Sequence, residues 1–345
     1  MSFTLPDGDI GFAVLGAGRM AQTHLRTLGT APGAKVVVVA DPNEEAARAG
    51  AAAARADRFT TDPLEAINDP EVHAVAIVTP TDTHAEFITA AIKCGKAVWT
   101  EKPIDQSLAA TRAVVDLWKD SGVPVQVGFM RRFDPGYVRA KELIDAGDLG
   151  RIEQFRAYSR DTYPPSLEYL QNCGGSFLDM SVHDLDAARF LVGEVDEVHA
   201  WADVLFDDVF AKANDFDTAV IMMRFANGAL GVVETARHSE WGYDIRAEVA
   251  GAKSKVIVDG GPKTTAHHLR RFGSEHDLYE SFPDRFADAY RIELEEFVKA
   301  LRDGRTPQPG PEDALESLRL AVACTVSWRE GRPIKLSEIG DDTVI

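Results

Sequence analysis

The feature that most constrains this chain comes early. Ile10-Gly11-Phe12-Ala13-Val14-Leu15 is a continuous apolar run that feeds into Gly16-Ala17-Gly18-Arg19-Met20-Ala21 and then a helical stretch through Leu28. A buried strand that turns sharply into a helix is the opening unit of a parallel α/β sheet. In a G-x-G-x-x-A turn the first glycine permits the tight bend, and the second lets the main chain approach a pyrophosphate. Ala21 keeps the helix close to the sheet, with free N–H groups and the positive end of the dipole facing the phosphates. A lone G-x-G is a weak signal. Here it gains weight from its place between a strand and a helix, and from the acid that ends the second strand.

That second strand, Lys35 to Asp41, ends in its acid 23 residues after Gly18, where a carboxylate binds both hydroxyls of an adenosine ribose. Pro42-Asn43-Glu44-Glu45 supplies no arginine for a 2′-phosphate, which favours NAD over NADP. The plainer role for Asp41 is to cap the alanine-rich helix through Ala54, but Asn43 can do that alone. Strands at Val72–Val78, 97–100 and Val123–Val127 alternate with helices reaching about Cys94 and spanning about Ser107–Ser121. This alternation predicts a doubly wound parallel sheet. Thr79 closes one of its strands, and His84 falls in the first turn of the following helix. His84 is either a cofactor contact or a structural helix-start histidine.

The 97–100 strand runs into Glu101-Lys102-Pro103. Proline pushes the residue before it out of the helical region, so Lys102 is extended at a strand end, and Pro103 leaves its bond to Lys102 free to be cis or trans. In open parallel sheets ligands sit outside the carboxyl ends of the strands. In isolation the Glu-Lys pair would be a solvated strand end. In this frame Gly16, Gly18, Arg19, Met20, Asp41, Thr79, His84, Glu101 and Lys102 form the candidate cofactor set.

After Gly128 the rhythm changes, placing a boundary between a dinucleotide domain of residues 1–128 and a second domain of residues 129–345. An amphipathic helix follows Asp134-Pro135 through Ala146. Alternating runs then span Arg151–Arg160, Val195–Leu205, Asp217–Phe225, Ala229–Thr235, Tyr243–Ala250 and Lys255–Asp259. Asn227-Gly228 is a hairpin signal, so the second domain is α+β with a mostly antiparallel open sheet. Helices at about Phe286–Asp303 and Pro311–Glu330 cover that sheet or return to the first domain.

Two domains suit a chain of 345 residues. The net charge of −18 disfavours nucleic acid, which needs clustered Lys and Arg. No apolar run approaches the roughly 18 residues a membrane span requires, and Met1 to Asp9 lacks the basic and apolar regions of a secretory signal. Cys94, Cys173 and Cys324 are odd in number and far apart, so neither a disulfide framework nor a thiolate metal site is expected, and a reducing cytoplasm is the simplest home.

Chemistry concentrates in Gly174-Gly175-Ser176-Phe177-Leu178-Asp179-Met180-Ser181-Val182-His183-Asp184. On a helix Asp179 and His183 share a face, so the acid can orient the imidazole and raise its basicity. The alternative is a capped helix start with a buried histidine. Asp179, His183 and Asp184 could together hold a divalent ion, but no further ligand is evident and no metal is expected. Oxidising a secondary alcohol needs a hydride acceptor, a base and a cation at the developing alkoxide. The dinucleotide, the Asp179–His183 pair and Lys102 supply these, with Lys102 from one domain and the pair from the other.

On the GAGRMA turn, Thr100-Glu101-Lys102-Pro103 and the D-x-x-x-H at Asp179 and His183, the chain resembles the glucose-fructose oxidoreductase / inositol dehydrogenase / rhizopine catabolism (Gfo/Idh/MocA) family over nearly its full length. Within it, Gln126 to Asp134, Gly174 to Met180, Trp241-Gly242-Tyr243-Asp244 and Gly331 to Leu336 are most similar to inositol 2-dehydrogenases. The resemblance implies NAD-dependent oxidation of a ring hydroxyl of a cyclic polyol, myo-inositol to scyllo-inosose. It implies His183 as base, Asp179 as the group that positions substrate and imidazole, and Lys102 at the reacting oxygen. Arg131 and Tyr243 match polyol-pocket positions, with a surface ion pair and a sheet aromatic as their plainer readings. Where some relatives have His-Arg-Asn, this chain has Ser159-Arg160-Asp161, which makes Asp161 a substrate-side candidate and leaves the polyol open. Relatives also act on scyllo-inositol, glucose or levoglucosan, cleave glycosides through transient oxidation, or serve as dinucleotide sensors. The family resemblance further implies a homo-oligomer, commonly a tetramer, packed through the open sheet face.

Overall fold

Alternating strands and helices in the first third close, in the computed structural model, into a six-stranded parallel sheet. The structure describes residues 5–345; the first four, part of the stretch read for a signal, lie outside it. The strands are β1 (Ile10–Leu15), β2 (Ala34–Ala40), β3 (Arg58–Thr60), β4 (Ala74–Ile77), β5 (Ala97–Glu101) and β6 (Val125–Gly128), in the order β3-β2-β1-β4-β5-β6. The direction of winding reverses between β1 and β4, where an open sheet forms its ligand crevice. The intervening helices are α1 (Ala21–Leu28), α2 (Glu44–Ala54), α3 (Pro63–Asn68), α4 (His84–Lys93) and α5 (Leu108–Ser121). Asn43 caps α2, its side chain accepting from the main-chain N–H groups of Glu45 and Ala46.

Two compact units divide the chain. The first takes in residues up to Phe133 and also Asp288–Glu316, so of the two expectations for the helix at about Phe286–Asp303 it is the return to the first unit that holds. The physical reason is apolar burial. Leu294, Phe297, Val298 and Leu301 pack into one core with Ile10, Phe12, Val14 and Trp99, and the Phe12 and Phe297 rings meet edge to face at 6.2 Å.

The second unit begins with α6 (Pro135–Asp145), whose first turn is capped by Asp134. Its sheet uses β7 (Ile152–Arg160), β8 (Val195–Asp203), β9 (Thr218–Phe225), β10 (Leu230–Ala236), β11 (Asp244–Gly251) and β12 (Lys255–Val258). A two-strand hairpin, β13 (His268–Arg270) with β14 (Gly273–Glu275), stands apart, and β15 (Ile334–Lys335) completes the main sheet. The order is β12-β11-β7-β10-β9-β8-β15, antiparallel except for the parallel β7–β10 pair. Asn227-Gly228 does join β9 to β10, with Gly228 at φ +88°. The remaining helices are α7 (Leu167–Asn172), α8 (Val182–Val192), α9 (Val209–Lys212), α10 (Phe282–Arg285), α11 (Ala287–Arg302) and α12 (Pro311–Glu330).

One sheet face meets helices: Ser327 of α12 accepts from the Ala200 N–H, and the Trp328 indole donates to the Ala202 carbonyl. The opposite face leaves Trp201, Val220, Met222 and Ile257 exposed. β8 ends at Asp203 rather than the expected Leu205. The Asp217 carboxylate accepts the N–H groups of Leu205, Phe206 and Asp207 and turns the chain away from the ladder.

Candidate active site

In the first unit the glycine turn has the shape its sequence demands. Gly16 adopts φ +97°, and a Cβ there would lie 2.6 Å from the Val78 carbonyl oxygen, so no other residue fits. A Cβ on exposed Gly18 would meet nothing within 4 Å. No side chain caps the first turn of α1. An open main-chain approach at an uncapped helix start suits a pyrophosphate. Arg19 is exposed and Met20 half-buried beside it. Asp41 accepts the Ala17 N–H at 2.8 Å and the Asn43 N–H at 2.9 Å, which ties the carboxylate to the glycine turn at the end of β2. Part-exposed and with one donor on each oxygen, it keeps acceptor capacity for ribose hydroxyls. These residues fit a bound dinucleotide.

Thr79 and His84 act together. The Thr79 hydroxyl accepts from Thr83. His84 is buried, with Nδ1 2.8 Å from the Pro103 carbonyl oxygen and Nε2 2.8 Å from that of Thr79. Carbonyls only accept, so both contacts are hydrogen bonds when the ring carries both protons. His84 therefore links Thr79, just beyond β4, to Pro103, the residue after Lys102. The Lys102–Pro103 bond is cis, and Lys102 is part-exposed at the end of β5.

Glu101 has a partner that its own motif does not show. His24 of α1 is fully buried and places Nε2 2.8 Å from Glu101 Oε1, while Oε2 accepts the Lys102 N–H at 3.2 Å. The His24 ring packs on Trp99 at 4.5 Å and meets Tyr290 edge-on at 5.4 Å. Burial alone would raise the Glu101 pKa. The hydrogen bond and charge of His24, then the charge and N–H of Lys102, outweigh it and hold the carboxyl below its ordinary range. A sequence signal existed: His24 sits on the buried face of α1 with Ala21, Leu25 and Leu28, a titratable group in an apolar phase.

In the second unit, Phe177–Ser181 forms a π-helical turn that continues directly into α8. Such turns inside helices recur at functional sites. Between Ser176 and Ala188 every residue is buried except Asp179 and His183. The two thus occupy the open face of an otherwise buried segment, as their spacing predicts. Asp184 is buried and accepts from the Ser159 hydroxyl at 2.7 Å, which makes it a structural group. No cluster of three metal-ligating side chains exists among the described residues.

Asp179 is tied on both oxygens. The Tyr169 hydroxyl donates to Oδ1 at 2.8 Å, and Arg237 Nη2 to Oδ2 at 2.7 Å. Arg237 is itself buried and reaches Asp161 through Nη1 at 3.3 Å and the Ser176 hydroxyl through Nε at 3.3 Å. The Asp215 carboxylate holds Ser176 through both its N–H and its hydroxyl. Burial, then the charge and hydrogen bond of Asp179, raises the Tyr169 pKa; burial and Asp179 push the Cys173 thiol up to about 11. Sequence reasoning missed Arg237 and Tyr169. Arg237 continues the inward alternation of Val233 and Thr235, a charge in the buried phase of a strand.

Arg131 lies in a short helical turn, Met130–Phe133, and is 3% exposed, which removes the surface-ion-pair reading. Tyr243 immediately precedes β11, half-buried, its N–H donating to the Tyr279 carbonyl and its ring edge-on to Phe286 at 6.5 Å.

Two family models match the chain: an oxidoreductase family with an NAD-binding Rossmann fold over residues 10–129, and the C-terminal alpha/beta domain of the same family over residues 141–336. The chain belongs to the Gfo/Idh/MocA oxidoreductase family. It is an NAD-dependent oxidoreductase, with a Rossmann-like first domain. It is 39% identical over 326 residues to a scyllo-inositol 2-dehydrogenase (NAD(+)) of Bacillus subtilis, covering 94% of this chain and 95% of that one. Identity to a myo-inositol 2-dehydrogenase of Thermotoga maritima is 37% over 328 residues, covering 94% and 98%. The crystal structure of scyllo-inositol dehydrogenase from Lactobacillus casei with bound NAD(H) and scyllo-inositol superposes with a TM-score of 0.89 at 26% identity, over 95% of this chain and 99% of the other.

Proposed function

We propose that this family member oxidises a ring hydroxyl of a cyclic polyol, converting myo-inositol to its 2-ketone, scyllo-inosose. The observation that carries the reading is the pairing of Asp179 and His183 on the one open face of a buried helical segment, in a chain that also presents Lys102 at a strand end of a dinucleotide domain. NAD, when bound, accepts the hydride. His183 takes the hydroxyl proton, Asp179 orients the imidazole and the substrate, and Lys102 donates to the oxygen as it becomes a ketone. Gly16, Gly18, Arg19, Met20, Asp41, Thr79, His84, Glu101 and Lys102 serve the cofactor, His84 through its hold on Thr79 and Pro103. Arg131, Asp161 and Tyr243 serve the polyol, whose hydroxyls are recognised almost wholly by hydrogen bonds.

A second substrate, scyllo-inositol, has support in what the Bacillus and Lactobacillus relatives are named for. Oxidation at the carbon where the two inositols differ erases that difference, so both give the same ketone. Substrates rather than products therefore separate the readings. NADH formation over a panel of myo-inositol, scyllo-inositol, glucose and levoglucosan, with NAD and NADP side by side, is the decisive experiment. Myo-inositol with NAD is expected to give the highest kcat/KM; no turnover of either inositol would sink the reading. Lys102→Ala and His183→Ala are each expected to lose most of kcat while still binding NAD by fluorescence titration. Near wild-type turnover in either would remove that residue's role.

No helix among the described residues is long and apolar enough to cross a membrane, and the cytoplasm is the proposed location. The exposed Trp201, Val220, Met222 and Ile257 on one sheet face support a homo-oligomer, with four copies the expected number. Light scattering of Met222→Glu should show smaller particles than the parent protein.

A further inference from the structure

Each oxygen of Asp179 is met by a separate donor on a different element, the Tyr169 hydroxyl of α7 on Oδ1 and the Arg237 guanidinium, just beyond β10, on Oδ2. A donor on each oxygen, from two different elements, fixes the plane of the carboxylate. The guanidinium is fixed in its turn. Arg237 is 4% exposed, and its contacts to Asp161 and Ser176 join the contact to Asp179 in holding its plane. The titratable groups around Asp179 are Tyr169 and Cys173 from α7 and its end, Arg237, Asp161 beyond the guanidinium, Asp215 behind Ser176, and His183 one turn along the helix.

We propose that Arg237, assisted by Tyr169, is the positioning residue of this centre: it keeps Asp179 as an oriented, ionised carboxylate, so that Asp179 accepts hydrogen bonds throughout the reaction and the proton goes to His183. The inference rests on the reading that Asp179 and His183 serve dehydrogenation. An arginine suits the task because it stays charged at every pH the enzyme meets and grips a carboxylate in a fixed plane. An adjacent cation favours the ionised form of an acid. Burial would lower the Arg237 pKa, but the charges of Asp179 and Asp161 and the hydrogen bond to Asp179 raise it. Arg237 also tempers the pull of Asp179 on the His183 proton. Without it, the uncompensated carboxylate would hold the imidazolium more tightly, and the base would become competent only at higher pH.

Two experiments test this, one of them independent of the substrate. In NAD-free protein, Arg237→Met and Asp179→Asn should each lower the melting temperature, and Asp179→Asn should lower it no further in the Arg237→Met background. Additive losses would show that Arg237 does not hold Asp179 and would overturn the proposal. In turnover with the best inositol, Arg237→Met should lower kcat on the order of 100-fold, change KM less, and move the acid limb of kcat/KM to higher pH. Arg237→Lys should restore the wild-type limb and part of kcat, and Tyr169→Phe, which removes no charge, should lower kcat without moving the limb. An unmoved limb in Arg237→Met, with kcat losses that Arg237→Lys shares in full, would mean a purely structural arginine and would also overturn it. Failure of the polyol reading would look different: the wild-type chain would oxidise no inositol while the melting-temperature cycle stayed coupled.

Discussion

Two carboxylates stand beside the two groups proposed to do chemistry, and the protein holds them with different partners. Glu101 precedes Lys102 and is bound by His24; Asp179 lies one turn before His183 and is bound by Arg237. Both pairs are largely buried, with side-chain exposures of 0% and 12% in the first and 5% and 14% in the second. A histidine can give up its charge near neutral pH and still donate through its remaining N–H. An arginine cannot. Removing the acid of the first pair leaves a side chain without a permanent charge, whereas removing Asp179 leaves a permanent buried guanidinium with only its 3.3 Å carboxylate contact to Asp161. Similar geometry thus carries unequal penalties, set by whether the partner's charge is permanent.

The largest effect expected from this difference is on Asp179→Ala. Leaving that guanidinium with only its longer carboxylate contact, to Asp161, should cost about 3 kcal/mol in urea unfolding of NAD-free protein. A loss no larger than that of an ordinary surface substitution would erase the contrast. Glu101→Gln, which removes no partner from a permanent charge and keeps a polar group beside His24 and the Lys102 N–H, should cost less, about 1–3 kcal/mol. Equal losses at the two sites would break the comparison from the other side.

The pH dependence sharpens it further. The folded Glu101 carboxyl is held below its ordinary 4.5 by His24 and Lys102 despite burial. A depressed acid contributes stability that is complete above its unfolded value and is lost as pH falls through the folded one. The stability difference between wild type and Glu101→Gln should therefore be constant above about pH 5 and shrink in the interval below 4.5. A difference that grew on acidification would contradict the pairing. The smallest effect belongs to Tyr169→Phe. The residue is 42% exposed, so losing its hydroxyl should cost about 1 kcal/mol or less.

Local pattern revealed most of the first domain because its strands are continuous apolar runs and its turns carry glycine, proline or a capping side chain. β3, three residues at the sheet edge, and α3, six residues long, escaped notice because neither is long enough to show a period. The π-helical turn at Phe177–Ser181 was equally invisible: its residues read as helix, and only the assembled fold widens the hydrogen-bond spacing. The lone titratable groups in buried phases, His24 and Arg237, were detectable as anomalies, though their partners lie 77 and 58 residues away in the chain.

Several features follow from what neighbouring residues impose on one another. These include the bend at Gly16, the strand end at Lys102, the helical phase that brings Asp179 and His183 to one face, and the change of rhythm after Gly128. Which distant groups meet depends instead on packing across the whole fold. That packing sent Leu294, Phe297, Val298 and Leu301 into the core beside β1, turned Glu101 from a strand-end acid into the partner of a buried histidine, and set Arg237 against Asp179. The reason is the range of the forces. Backbone sterics and hydrophobic period act within a few residues, whereas a buried charge must find its counterion wherever the fold brings one.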